Sequence, residues 1–337
     1  LDYIRLGSTP LQVSRICLGT VFRTEQNEAA CRAALAQAFD LGINFVDCAN
    51  VYRGGLAEEF VGRAVQTRRQ SVVISTKVGA AVADDPGCSG LSRAAVLRSA
   101  EASLTRLGTD YLDCLLCHFP DPATPLTETL GALGDLVQQG KIRYAGCSNF
   151  EAWRLAEALA LAPSCGLNAL VCHQVLYSLL DRSVEVEGLP LCRRHGVGVT
   201  AYATTAIGLL SGRYRRGQSP PQGSSWQRGP YNYRAAMTVA VDGVIAALLE
   251  VAGDTGRTPS QVAMAWCLRP GGADVVIIGA DTAERVRENC GAAGWQLTMQ
   301  ERARLEHAAR GVRLEVRKDC PQGYQPEPGD AGCVTSL

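Results

Sequence analysis

Eight short apolar runs, each followed by an amphipathic stretch, set the rhythm of this chain and leave few folds open to it. The runs are Ser14–Thr20, Ile43–Asp47, Val72–Lys77, Tyr111–His118, Tyr144–Asn149, Ala169–Gln174, Val197–Tyr202 and Val275–Gly279. Their largely apolar character is that of parallel strands buried on both faces. The stretches between them carry helix punctuation. Asn27 to Leu41 places Ala30, Ala33, Ala34, Ala38 and Leu41 at helical spacing and stops at Gly42. Ser92 is an N-cap for a helix through Leu107 that Gly108 closes. Leu126 to Gln139 ends before Gly140, and Glu151 to Leu161 ends near Pro163. Thr258-Pro259 reads as a cap followed by proline at the first helical position, opening Ser260–Leu268, and Thr282 caps a helix through Cys290.

Eight strands alternating with helices predict a single (β/α)8 TIM barrel spanning residues 1–337. The competing fold is an open doubly wound sheet, but no Gly-x-Gly-x-x-Gly follows the first run. A short N-terminal β-hairpin, Tyr3–Leu6 and Leu11–Val13, would plug the barrel bottom. Gly212 to Tyr233 reads as a long mobile loop, and residues 318–337 as a C-terminal loop or tail.

Composition excludes several function classes. Lys+Arg and Asp+Glu are both 33, so no net field draws nucleic acid or an acidic membrane. No apolar stretch approaches the roughly 18–20 residues of a membrane span, and a cytoplasmic location is expected. The oligomeric state stays open, and no metal is expected. Fourteen cysteines invite a disulfide framework, but those inside apolar runs, such as Cys17, Cys48, Cys147, Cys172 and Cys267, read as buried thiols. Cys114-Leu115-Leu116-Cys117-His118 matches a haem-attachment pattern. It falls on a buried strand, where residues three apart face opposite ways, so the match is read as accidental.

Asp47, Lys77 and His118 close three successive strand runs, and Tyr52 lies on the loop after the first of them. On a barrel these four converge at the C-terminal face, which carries catalysis. Taken singly, Asp47 could cap a loop, Tyr52 could be packing, Lys77 could be solvated and His118 structural. Together they suit proton transfer to a carbonyl oxygen. Tyrosine, with a pKa near ~10, needs a neighbouring cation to work near neutrality. Lys77 would supply it, Asp47 would hold Lys77, and His118 would orient the carbonyl. Ser148, Asn149, Gln174 and Tyr202 end later strand runs on the same face.

The chain resembles the aldo-keto reductases. Gly42-Ile43-Asn44-Phe45-Val46-Asp47-Cys48-Ala49-Asn50-Val51-Tyr52 is similar to that family's first signature, continued by Leu56 to Ala64. Ser75-Thr76-Lys77-Val78-Gly79, Leu115 to Asp121 and Gly140 to Phe150 resemble its lysine, histidine and later motifs. The resemblance implies an NADP(H)-dependent oxidoreductase that reduces an aldehyde, ketone or sugar carbonyl, or runs the reverse, with catalytic residues Asp47, Tyr52, Lys77 and His118. It implies cofactor contacts from Gly19, Thr20, Ser148, Asn149 and Gln174, and from Tyr202 stacked on the nicotinamide. Gly208, Leu210 and Arg213 would cover the pyrophosphate, and Gly279, Arg285, Glu288 and Asn289 the adenosine end.

Two departures from the family pattern bear on this. Asp281 would set a negative charge near the 2′-phosphate and admit NADH beside NADPH, which Arg285 still favours. Tyr202-Ala203-Thr204-Thr205 replaces the usual residues after the aromatic position. Arg53, Phe119, Trp226 and the tail around Tyr324 are rim candidates, Arg53 favouring a hydroxylated substrate. A cofactor-binding sensor or accessory subunit, or a redox-neutral epimerase using bound cofactor, are the alternatives.

Overall fold

The computed structural model describes residues 1–22, 27–82, 85–228, 231–279 and 282–314. A two-stranded antiparallel hairpin, β1 (Tyr3–Arg5) and β2 (Gln12–Ser14), precedes eight parallel strands: β3 (Ile16–Gly19), β4 (Phe45–Asp47), β5 (Val73–Val78), β6 (Leu112–Cys117), β7 (Ile142–Ser148), β8 (Leu170–Leu176), β9 (Gly198–Tyr202) and β10 (Val275–Gly279). Strand β10 pairs with both β9 and β3, closing the barrel. The predicted TIM barrel and its hairpin are therefore the fold, while the tail at 318–337 lies outside the described residues.

The helices are α1 (Glu28–Asp40), α2 (Leu56–Val65), α3 (Arg93–Leu107), α4 (Leu126–Gln138), α5 (Ala152–Leu161), α6 (Gly188–His195), the short α7 (Ser225–Arg228) and α8 (Tyr233–Ala236), α9 (Val239–Thr255), α10 (Pro259–Cys267), α11 (Ala283–Cys290) and α12 (Met299–Ala308). The N-caps Ser92, Thr258 and Thr282 are those the sequence predicts. Asn27, Ser92, Thr258 and Thr282 each accept a backbone N–H of the first turn, and Gly108 closes α3 in the left-handed conformation.

Strand alternation divides the apolar residues into two cores. Cys17, Phe45, Val73, Cys114, Leu116, Val171 and Val275 fill the barrel interior with Leu6 and Val13 of the hairpin. Their neighbours Leu18, Val46, Ile74, Leu115 and Cys117 face the helices. Cys114 and Cys117 thus lie on opposite faces of β6, as expected, and the twelve described cysteines are free thiols. Gly7, at φ +56, seats the hairpin in the barrel floor. A Cβ there would come within 2.6–2.7 Å of backbone atoms of Val171, Gly196 and Gly198.

Residues 212–233, expected as a loop, carry the turn α7 and a buried aromatic anchor. Trp226 is 3% exposed and packs on Tyr231 and Tyr233 at 5.3 and 6.1 Å between ring centroids. Trp226 is therefore core rather than substrate rim.

Candidate active site

Inward-facing positions at the C-terminal ends of β4 and β5 bring Asp47 and Lys77 side by side. Lys77 Nζ donates to Asp47 Oδ2 at 2.6 Å, to the Cys48 carbonyl at 2.8 Å and to Tyr52 Oη at 3.1 Å. Asp47 and Lys77 are both buried, Asp47 at the edge of the cleft. A buried ion pair survives only where its remaining lone pairs are satisfied. Here Ser75 Oγ and Gln174 Nε2 donate to Asp47 Oδ1 at 2.8 and 2.9 Å.

Tyr52 opens a tight turn, Tyr52–Gly55, in which Arg53 and Gly54 take left-handed backbone conformations. The turn is fastened from behind. Arg106 of α3 lies against Gly55, whose added Cβ would fall 2.7 Å from Arg106 Cδ, and Arg106 Nε donates to Glu58 Oε2 at 2.7 Å. Glu58, fully buried in the first turn of α2, also accepts from Thr76 Oγ1 at 2.5 Å. Ser75, Glu58 and Arg106 were missed as site supports. The periodic spacing of Ser75 with Lys77 on β5 was the one local signal available.

His118 follows β6, its ring edge-on to Tyr52 at 6.1 Å and stacked on Phe119 at 4.5 Å between centroids. Burial, with the Lys77 charge adding to it, pushes its pKa down to about 3, so the imidazole is neutral. Burial lifts the Tyr52 phenol above its ordinary value, and Lys77 opposes this in part. Lys77 itself would be lowered by burial, but Asp47 and Tyr52 outweigh that and hold it raised as an ammonium. The site thus contains a protonated phenol, a fixed cation and a neutral imidazole. The expected Lys77 effect on Tyr52 is present but smaller than the effect of burial.

These groups form one end of a cleft of about 490 Å³ that runs across the barrel mouth. Of the predicted contacts, Gly19, Ser148, Asn149, Gln174, Tyr202, Gly208, Arg213, Gly279, Arg285, Glu288 and Asn289 line it. Two do not. Leu210 is fully buried in the outer core. Thr20 turns its hydroxyl to the Asp47 carbonyl at 2.9 Å and to Cys48 Sγ at 3.1 Å. Lys77 sits beneath Tyr52 rather than on the wall. Asp281 and Tyr324 lie outside the described residues. At the rim, Phe119 is 37% exposed, and Arg53 is drawn over the Phe60 ring at 5.4 Å.

The cleft wall suits an extended dinucleotide. Guanidiniums of Arg213 and Arg285, hydroxyls of Ser148 and Ser211, the amides of Gln174 and Asn289 and the Tyr202 ring are spread along it. That set offers charge for phosphates, hydrogen bonds for a carboxamide and a plane for a ring.

A model of the aldo/keto reductase family matches residues 15–310. The chain is 35% identical over 299 residues to a probable voltage-gated potassium channel subunit beta of Arabidopsis thaliana, covering 86% of this chain and 90% of that protein. It is 34% identical over 300 residues to the uncharacterized oxidoreductase YrpG of Bacillus subtilis, with coverages of 86% and 90%. A putative voltage-gated potassium channel subunit beta of Schizosaccharomyces pombe is 32% identical over 328 residues, covering 93% and 94%. With the family model spanning the whole barrel and relatives matched over most of their length, the chain belongs to the aldo/keto reductase family.

Proposed function

We propose that this protein is an NADP(H)-dependent oxidoreductase that interconverts a small aldehyde, ketone or sugar carbonyl with its alcohol. The observation that carries the reading is the 3.1 Å contact between Tyr52 Oη and the Lys77 ammonium at the cleft floor, with Asp47 fixing Lys77 from behind. When bound, a reduced nicotinamide would supply hydride to the carbonyl carbon. Tyr52 Oη donates the proton to the developing alkoxide, and the adjacent Lys77 ammonium stabilises the phenolate left behind. His118, being neutral, directs a ring N–H at the carbonyl oxygen without adding charge. In the reverse direction Tyr52, as phenolate, takes the alcohol proton.

Ser148 and Gln174 would meet the carboxamide, Tyr202 the ring, Arg213 the pyrophosphate, and Arg285 the 2′-phosphate by planar, bidentate recognition. Tyr52→Phe keeps the ring and removes the proton. NADPH-dependent reduction is expected to fall by about 10²–10⁴-fold with the fold intact. Normal turnover by this variant would overturn the assignment.

The similarity to channel beta subunits of Arabidopsis and Schizosaccharomyces favours a second reading, a cofactor-binding accessory subunit. Tight NADPH binding with no turnover on a broad panel of carbonyls would select it.

A further inference from the structure

We propose that Phe119 is a positioning residue for His118: its ring, stacked flat on the imidazole, sets the plane in which His118 meets the substrate carbonyl. The inference deepens the reading above, on which the role of His118 rests.

The backbone of His118 is pinned on both sides. Its N–H donates to the Val78 carbonyl at 2.8 Å, and its own carbonyl accepts from Asn149 Nδ2 at 2.9 Å. The ring beyond it is held differently. Among the described residues neither ring nitrogen has a hydrogen-bond partner, although Nδ1 is buried. A functional imidazole is commonly fixed by a bond from its second nitrogen to a carbonyl or carboxylate. The torsion that turns the ring is otherwise broad and roughly two-fold. Here packing must choose its value.

Two rings supply that packing. Phe119 lies parallel to the imidazole, with 7° between planes and 4.5 Å between centroids. Tyr52 stands across it at 81° and 6.1 Å. The parallel plate is the closer of the two and the one that a turned imidazole would strike. Consecutive residues of an extended strand point to opposite faces, so the stack requires the chain to leave β6. It bends at His118 and Phe119. Pro120 restricts the backbone of the residue before it, which is Phe119. Asp121 ties the bend down, accepting from the Leu91 N–H and Thr124 Oγ1 at 2.7 Å and from the Ala123 N–H at 3.0 Å. Phe119 is 37% exposed, so it fills no core, and the face it buries is the one given to His118.

The test separates positioning from a wall that merely touches substrate. Phe119→Leu keeps an apolar side chain at the rim but removes the plate. Its kcat is expected to fall about 10-fold for every carbonyl accepted, propanal included, with the KM for propanal and the NADPH affinity within about 3-fold of wild type. Phe119→Tyr restores the plate and should restore kcat. If Phe119 acts through His118, adding Phe119→Leu to His118→Asn should lower kcat no further. A loss confined to bulky substrates and expressed in KM overturns the proposal. So do equal losses from Phe119→Leu in the wild-type and His118→Asn backgrounds. Ring position has a readout that needs no turnover. NMR contacts between the His118 ring protons, assigned by their absence in His118→Asn, and the Tyr52 ring should weaken in Phe119→Leu and return in Phe119→Tyr. Contacts unchanged in Phe119→Leu also overturn the proposal. A wild-type protein that turns over no carbonyl would instead count against the oxidoreductase reading and leave the NMR comparison to decide the role of Phe119.

Discussion

Gln174 Nε2 donates to Asp47 Oδ1 at 2.9 Å, joining two residues 127 positions apart across the barrel mouth. The bond places the residue that would read the cofactor one hydrogen bond from the ion pair that tunes the proton donor. With Ser75 on the same oxygen and Lys77 on the other, Asp47 has three side-chain donors and is buried. Such a network fixes geometry, but it is costly to break partway.

Removing Lys77 alone should therefore cost both stability and rate. Lys77→Met leaves the Asp47 carboxylate buried without its counter-charge, and breaking a buried pair in this way costs about 3–5 kcal/mol. Adding Asp47→Asn to Lys77→Met removes the stranded charge and should recover much of that loss. Activity should stay down by about 10²-fold or more in both variants. Urea unfolding and steady-state kinetics on the two proteins check this. A double variant no more stable than Lys77→Met would show that the pair is not what holds these strand ends.

Behind the site, the Arg106–Glu58 pair is expected to act on the Tyr52 turn. Gly55→Ala would add a methyl at φ +96, 2.7 Å from Arg106 Cδ, so Arg106 must leave its seat. Strain at such a position costs of order 1–3 kcal/mol. Since Gly55 closes the turn that begins with Tyr52, kcat should fall with little change in cofactor affinity. Arg106→Leu, which strands Glu58 in the core, should be the more destabilising of the two. Thermal melts and cofactor titrations separate the effects, and full activity in Gly55→Ala would sink the argument.

Much of this arrangement is legible in the sequence. Strand ends could be read because a buried parallel strand is largely apolar and its polar residues gather toward the C-terminal end, as at Asp47 on β4 and at Ser75 and Lys77 on β5. Helices with a hydroxyl or amide cap and a closing glycine, such as α3, were equally clear. Helices α2, α6, α9 and α12 were passed over. Helix α9 is apolar around much of its circumference, and α12 buries only Leu305, so neither shows a clean amphipathic stripe. The hydrogen-bond partners of Asn149 and Gln174 could not be read at all. They depend on which atom of an amide faces a partner brought close by barrel closure, and no local pattern encodes that. Trp226 failed for the opposite reason. A tryptophan in a Gly- and Pro-rich stretch suggests a rim, but two tyrosines nearby fold it inward.

The pH dependence of the reaction follows from the state of Tyr52. Burial raises its phenol above the ordinary value, only partly offset by Lys77, so the proton donor stays loaded through neutrality. His118, depressed to about 3, does not titrate in the working range. For carbonyl reduction, kcat/KM is expected to be level from about pH 6 to 9 and to fall only above about 10, where a free phenol would begin to ionise. A descending limb centred near neutrality would point to a donor other than Tyr52.

Acid sensitivity of the fold should come in part from His173. It is 1% exposed on β8, its Nδ1 is 3.6 Å from Cys192 Sγ, and burial pushes its pKa down to about 4 against a hydrogen bond with the Phe150 backbone. In the unfolded chain it titrates near ~6.5. Above that pH neither state holds the proton, and the stability gained from a neutral buried ring is fully present. As pH falls from about 6.5 toward 4, the unfolded chain takes up a proton that the folded one refuses, so stability is lost. The slope for this one group approaches about 1.4 kcal/mol per pH unit. Urea midpoints measured between pH 7 and 4.5 should fall in the wild-type protein and fall less steeply in His173→Leu. Equal slopes in the two proteins would mean that His173 takes up its proton without unfolding.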